Sequence, residues 1–165
     1  MAGNRGLRVA VSVVALAGVF GLGWVVAKSG AGQAVAIESL TDLERQFTER
    51  MQSVVLVGNF TVDGRETRGG SPERYELSQV AKVDEDRWRF DVHMVYGNVD
   101  ATLPVVVPIV WAGDTPMVTI TDFSIPTLGT FTARVMFYED RYAGSWQHGQ
   151  YGGLMYGAIE PMDAD

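Results

Sequence analysis

Cysteine is absent from this 165-residue chain, and histidine occurs only twice, at His93 and His148. Without cysteine there are no disulfide bonds, thiolate zinc sites or cysteine nucleophiles. Zinc sites need three or four ligands from His, Cys or carboxylate groups, and neither histidine has a second one within five positions. No glycine-rich phosphate loop precedes a helix. The sequence therefore predicts neither a metal site nor a cofactor.

Basic residues are scarce after residue 36. The chain contains 20 acidic and 13 basic residues, for a formal net charge of −7. Three of the basic residues and none of the acidic ones precede Ile37, so the segment 37–165 has 10 basic and 20 acidic residues, a formal net charge of −10. Such a surface repels phosphate backbones and anionic lipid headgroups, because both are bound through Lys and Arg. Nucleic acid is therefore not an expected partner.

Charged residues are also missing from the 19 residues between Val9 and Ala27, which Arg8 and Lys28 flank. A membrane-spanning helix needs roughly 20 apolar residues, so this segment is long enough to serve as one. The sequence Ala34-Val35-Ala36 satisfies the small-x-small rule of signal peptidase. Residues 1–36 are therefore predicted to be a cleaved signal peptide or a retained membrane anchor. Both alternatives place the domain 37–165 outside the cytoplasm, in the cell envelope or secreted.

The hydrophobic pattern of residues 37–165 predicts a mainly β domain preceded by one amphipathic helix. Apolar residues recur every three or four positions over 37–52, as in a helix that packs on a sheet. From Ser53 the period changes to two, most clearly over Arg87–Tyr96. About eight strands are expected, near 53–62, 73–83, 87–96, 99–111, 117–125, 130–138, 141–147 and 153–159.

Short turns separate these strands, which favours an antiparallel meander that forms either a barrel or a strongly curved sheet. Parallel neighbours would need much longer connections. Pro104 and Pro108 cannot donate a ladder hydrogen bond. The fourth element is therefore expected to be an edge strand, a bend or two short pieces.

Three C-terminal segments, Trp111–Pro116, Gly129–Val135 and Asp140–Gly149, together with Gly152 and Gly153, resemble a family of exported bacterial proteins that has no established activity. The resemblance covers roughly residues 53–160 and implies a single exported domain without assigning catalytic residues. The Gly144-Ser145-Trp146 sequence also resembles the Gly-x-Trp hairpins of small lipocalin-like barrels.

No catalytic constellation is evident in the sequence. Ser145 and His148 are three positions apart, so in a strand they face opposite sides and cannot act as nucleophile and base. The acidic run Asp84–Asp86 lies between two predicted strands and lacks the alternating spacing of a calcium loop. An enzyme would need convergent titratable groups in the barrel mouth, for which Arg134, Asp122 and His148 are candidates.

The favoured hypothesis is a non-catalytic exported protein that binds a small apolar or amphipathic ligand in a barrel-like cavity. The alternatives are a membrane-anchored adaptor that presents a β surface to an envelope protein, and an enzyme with its site in the barrel mouth. The aromatic candidates for the ligand site would equally suit a solid core. The residues predicted to contact a ligand are Trp88, Phe90, Met94, Phe131, Arg134, Phe137, Trp146 and His148.

Overall fold

Eight antiparallel strands form a closed barrel in the computed structural model, which describes residues 33–65, 69–125 and 128–163. Each strand pairs with the next along the chain, and β1 closes the ring by pairing with β8. This confirms the predicted meander and distinguishes the barrel from an open curved sheet. The strands are β1 (Val54–Phe60), β2 (Ser71–Lys82), β3 (Arg87–Tyr96), β4 (Val99–Ala112), β5 (Thr115–Ile125), β6 (Gly129–Tyr138), β7 (Arg141–His148) and β8 (Tyr151–Pro161).

The helix that precedes the barrel is shorter than the predicted 37–52. A 3-10 turn covers Ile37–Ser39, and the α-helix, α1, covers Asp42–Arg50. Thr41 adopts an extended conformation and caps α1 through a reciprocal pair of hydrogen bonds with Glu44. This capping box fixes the helix start at Thr41, so the apolar periodicity that began at Ile37 overestimated its length.

Helix α1 closes one end of the barrel, called here the helix end. Phe47 is 2% exposed and inserts its ring among the aromatic side chains of three strands. Its ring centroid lies 5.3 Å from that of Trp88, 5.8 Å from Phe137 and 6.0 Å from Trp111. An ion pair of 2.5 Å between Glu44 and Lys82 ties α1 to the end of β2. The helix end is therefore a sealed aromatic core.

The opposite end of the barrel, called the mouth, is formed by the end of β1, the start of β2 and the β3–β4, β5–β6 and β7–β8 turns. Many inward-facing apolar side chains near the mouth are only half-buried, whereas most of those near α1 are almost fully buried, with Trp111 and Val118 as half-buried exceptions. The barrel is therefore closed at the helix end and more accessible at the mouth. The half-buried residues of the mouth are Tyr75, Val99, Ala101, Phe123, Ile125, Leu128, Phe131, Ala133 and Met155.

The seam between β4 and β5 is the shortest in the ring. The two strands pair over four positions near the helix end, from Ile109 opposite Val118 to Ala112 opposite Thr115. Residues 99–108 of β4 pair with β3, but in this described part of the chain they have no paired partner in β5. Pro104 and Pro108 lie in this stretch, which agrees with the predicted edge character of the fourth strand. The two strands therefore separate toward the mouth.

The N-terminal apolar segment 9–27 lies outside the described residues. The described chain begins at Gln33, and the Val35 N–H donates a hydrogen bond of 2.8 Å to the Lys82 carbonyl at the helix end. Within residues 33–163, gaps excepted, no helix has both the length and the apolar content needed to cross a membrane.

Candidate functional site at the barrel mouth

Four of the eight predicted ligand residues belong to the buried interior. Trp88, Phe90 and Phe137 surround Phe47 at the helix end and are 1%, 7% and 4% exposed, respectively. Met94 lies farther along β3 and is also buried. In this arrangement the four side chains fill the core.

Three other predicted residues come together at the mouth. Phe131 and His148 are directly opposite each other on β6 and β7, and their rings stack with centroids 4.4 Å apart. Trp146 is the next inward-facing residue on β7 and makes an edge-to-face contact of 5.9 Å with Phe60. Its indole Nε1 donates to the Thr61 carbonyl at 3.2 Å. The mouth therefore has aromatic walls held in place by stacking and by a backbone hydrogen bond.

Arg134 lies on the outer face of β6, because its neighbours Ala133 and Val135 face inward. Its guanidinium donates to the carbonyls of Ile120 and Ala133, at 2.5 and 2.8 Å, and to the Thr121 hydroxyl at 2.9 Å. These contacts stabilise the irregular segment of β5 between Ile120 and Phe123, where the pairing register with β6 shifts. Arg134 therefore has a visible structural role on the outside of the barrel.

The three residues considered for an enzyme do not converge. Arg134 points outward, whereas His148 stacks on the inward-facing Phe131. Asp122 is exposed at the irregularity in β5, where it adopts a positive φ of 50°. The described geometry therefore provides no acid–base pair from this set.

A buried carboxylate, which the sequence reasoning missed, lies inside the barrel. Glu73 is 4% exposed and is the second inward-facing residue of β2 counted from the mouth. Its carboxylate oxygens accept hydrogen bonds of 2.8 Å from the Tyr142 hydroxyl and 2.8 Å from the Tyr75 hydroxyl. The sequence of β2 does indicate that Glu73 faces inward. It is four positions before the apolar Leu77, so the two side chains lie on the same face of the strand.

Two glycines give the Tyr142 ring its path to Glu73. Tyr142 pairs with Gly157, Gly157 with Gly58, and Gly58 with Glu73, so the four residues form one row across β7, β8, β1 and β2. A Cβ at Gly157 would stand 2.6 Å from Tyr142 Cε1, and one at Gly58 would clash with the Tyr142 hydroxyl. The ring therefore lies over two positions that must lack side chains.

Large and small residues alternate along the inward faces of β7 and β8. Each large side chain on one strand faces a glycine on the other. The glycines leave room for the aromatic rings to lie over the neighbouring strand on the inside of the barrel. This pattern directs both Tyr142 and Trp146 toward β1. The opposing pairs are Tyr142 with Gly157, Gly144 with Met155, and Trp146 with Gly153.

Burial changes the acid–base properties of this cluster. Removal from water raises the pKa of the Glu73 carboxyl, although the hydrogen bonds from Tyr142 and Tyr75 act in the opposite direction. Burial also raises the pKa of Tyr142, and the adjacent charge of Glu73 adds to the effect. Tyr142 is therefore a hydrogen-bond donor at neutral pH, and Glu73 is an acceptor that is costly to ionise.

His93 lies on the outer face of β3, because its neighbours Val92 and Met94 face inward. Its Nδ1 is 3.1 Å from a Glu76 carboxylate oxygen, and its Nε2 is 2.8 Å from one of Asp100. Hydrogen bonds to Asp100 and Glu76 raise the pKa of His93. Within the described ranges, no group of three or more His, Asp and Glu side chains is arranged to hold a metal ion.

Two grooves on the described surface lie away from the mouth, and the first of them reaches Phe47, Trp111 and Phe137 at the helix end. One, of about 340 Å³, runs between α1 and the β4–β5 and β6–β7 turns. The other, of about 350 Å³, crosses the outer faces of β2, β3 and β4 beside His93. Neither is lined by the aromatic residues of the mouth.

Comparison with known proteins gives no match for this chain, whether to a family model, a curated protein or a solved structure. The resemblances seen in the sequence are therefore supported only at the level of architecture, as an eight-stranded antiparallel barrel with a buried aromatic cluster.

Proposed function

We propose that this domain is a non-catalytic exported protein that binds a small apolar or amphipathic molecule in the mouth of the barrel. The main support is the contrast between the two ends. Most inward-facing apolar residues at the helix end are buried against Phe47, with Trp111 and Val118 half-buried, whereas most of those at the mouth stay half-buried. Ligand sites of this kind are concave and mostly apolar, with a few polar groups that orient the ligand.

Small inward-facing residues support the same proposal. Ala101 and Ala133 are half-buried on the inside of β4 and β6, and their methyl groups project less far into the mouth than larger side chains would. Phe131 lies beside Ala133 on β6 and offers an aromatic surface. An apolar chain that covers these residues would remove their exposed carbon from water, which contributes about 25 cal/mol per Å².

The separation of β4 from β5 supplies a route of entry. Over residues 99–108 the edge of β4 is not bonded to β5, so side chains rather than a backbone ladder close this part of the wall. Side chains change rotamer far more easily than a strand pair opens. In this proposal the apolar ligand enters between β4 and β5 near the mouth.

The proposed location is outside the cytoplasm, with residues 9–27 kept as a membrane anchor. Cleavage after Ala36 would remove Val35, whose N–H is hydrogen-bonded to Lys82 at the helix end. Retention of the segment would keep this contact. Sequencing the N-terminus of the mature protein tests the point: a mature chain that starts at Ile37 contradicts it.

An uncharged apolar fluorophore, N-phenylnaphthylamine, provides the test of ligand binding. The probe is expected to gain fluorescence with the folded chain and to lose that signal with Ala133→Trp, which fills the mouth from the inside. The matched control is Met136→Trp on the outer face of the same strand, where the native side chain is 40% exposed. Circular dichroism of both variants checks that the barrel is intact.

The comparison of the two variants decides the proposal. Binding that survives Met136→Trp and is lost in Ala133→Trp supports a site in the mouth. Binding that is equally strong in both variants would place the probe elsewhere and overturn the proposal. No fluorescence gain with the native chain would also overturn it.

An adaptor role is the second candidate, and an apolar strip on β8 favours it. Leu154 and Tyr156 are 57% and 42% exposed on the outer face of this strand. A strip of this kind can pack against another envelope protein. Photo-cross-linking in intact cells from position 154, with position 160 on the same strand as control, tests this role. A specific cross-link from position 154 supports the adaptor, and its absence argues against it.

A further inference from the structure

Glu73 is a buried acid that contacts no basic side chain among the described residues. Within the described residues, its carboxylate contacts are the hydroxyls of Tyr142 and Tyr75, and no Lys, Arg or His is in contact with it. An ionised carboxylate can accept about four hydrogen bonds, of which two are formed here. Burying such a charge is costly unless it is paired, so a positive group that entered the mouth would be strongly favoured beside it.

The surroundings of Glu73 suit a cation more than an anion. Phe60 and Trp146 meet edge to face at the mouth, close to the row of strands that holds Glu73. Aromatic rings attract ammonium groups through their negative faces. The segment 37–165 also carries a formal net charge of −10, which raises the local concentration of cations and repels anionic ligands.

Resting on the function proposed above, we propose that the ligand is an amphipathic amine, whose ammonium group binds Glu73 and whose apolar chain occupies the half-buried mouth. Glu73 lies two residues from the start of β2. A strand rises about 3.3 Å per residue, so the carboxylate stands about 7 Å below the rim, within reach of a ligand headgroup. Gly58, opposite Glu73 on β1, has no side chain, and the Tyr142 ring lies over it, so the ligand approaches Glu73 from the side of Tyr75 and the start of β2.

Ligands with one chain length and different headgroups test this assignment. Dodecylamine, dodecanol and dodecanoate, each kept below its micelle concentration, are allowed to displace N-phenylnaphthylamine from the full-length chain near pH 7. Dodecylamine is expected to bind at least about tenfold more tightly than dodecanol, and dodecanoate is expected to bind most weakly. In Glu73→Gln the preference for the amine over the alcohol is expected to disappear, while dodecanol still binds.

The pH dependence of the native chain gives a second readout that does not depend on a variant folding correctly. The ammonium group of dodecylamine stays charged from acid to neutral pH, whereas Glu73 becomes neutral as the pH falls. The preference for the amine should therefore decline toward acid pH. Because burial raises the pKa of Glu73, the decline should begin at a higher pH than an ordinary glutamate would give.

The possible results separate this inference from the proposed function. Displacement by dodecanol with no preference for the amine, at any pH, overturns the assignment to Glu73 but leaves a binding mouth. An amine preference that is unchanged in Glu73→Gln overturns it as well. If none of the three ligands displaces the probe and the probe itself does not bind, the proposed function fails, and the inference fails with it.

Discussion

The hydroxyl of Tyr142 donates a 2.8 Å hydrogen bond to Glu73 across the inside of the barrel, although the two residues are 69 positions apart in sequence. The bond joins β7 to β2 over the two intervening strands, β8 and β1. It therefore holds four neighbouring strands in one register at the level just below the mouth. The same bond orients the carboxylate that we propose to bind a ligand amine.

Replacement of Tyr142 by phenylalanine should destabilise the barrel. The Glu73 oxygen would lose its partner in a buried position, which costs about 1–3 kcal/mol in the free energy of unfolding. Urea denaturation measures the loss. The matched control is Tyr138→Phe, since Tyr138 is 52% exposed on the outer face. Equal stability of the two variants would contradict a structural role for the Tyr142 hydroxyl.

A methyl group at position 157 should also be unfavourable. In Gly157→Ala the new Cβ would stand 2.2 Å from the Val57 carbonyl oxygen and 2.6 Å from Tyr142 Cε1, so both the β1 backbone and the ring would have to move. Overpacking of this kind costs about 1–3 kcal/mol. Gly152→Ala on the same strand is the control, because its closest contact would be 3.2 Å, to the Trp146 carbonyl. A midpoint of urea denaturation that falls only in Gly157→Ala supports the close packing of β8 against β1 and the Tyr142 ring at this position.

Truncation of Phe47 should open the helix end. This side chain is 2% exposed and contacts four aromatic rings, so Phe47→Ala leaves a cavity and costs about 3–5 kcal/mol. Leu43→Ala tests the same helix at a residue that is 41% exposed, and it should change stability by less than about 1 kcal/mol. Thermal unfolding of the two variants distinguishes a core position from a surface position. Similar melting temperatures would contradict the sealed helix end.

His93 should make stability depend on pH. Hydrogen bonds to Asp100 and Glu76 raise its pKa above the usual value, so the folded state binds the proton more tightly than the unfolded state. The contribution is therefore fully present below the unfolded pKa and is lost as the pH rises through the folded pKa.

The difference in unfolding free energy between the native chain and His93→Gln, followed from about pH 5 to about pH 9, measures this contribution. The native chain should be the more stable of the two at the acid end, with the difference shrinking toward alkaline pH. Arg74 also forms an ion pair with Glu76, so the Glu76 carboxylate interacts with both Arg74 and His93. A difference that is constant with pH, or that grows toward alkaline pH, would contradict the assignment.

The strands could be predicted from the sequence because their signal is local. The alternation in Arg87–Tyr96 gave the bounds of β3 as they are observed, and Pro104 and Pro108 indicated the edge character of β4. Apolar periodicity places the start of the helix at Ile37, whereas the capping box places it at Thr41, where the structure has it. The error in the helix start could have been avoided, since the capping signal is also local.

The Glu73 cluster could not be predicted in the same way. Its geometry depends on the register of four strands, which sets Gly58 and Gly157 between Tyr142 and Glu73. A single sequence indicates which residues share a strand face, but it does not give the pairing between strands that are distant along the chain. Glu73 could at most have been identified as a charged residue on an apolar face.

The most direct test of a ligand site in the mouth is a titration of the isotope-labelled chain with dodecylamine, followed by the backbone amide shifts in NMR spectra. We expect saturable shift changes that cluster at the mouth, around Glu73, Ala133 and Trp146, with little change around Phe47 at the helix end. Shift changes confined to the helix end or the outer faces, or no saturable change at all, would contradict such a site.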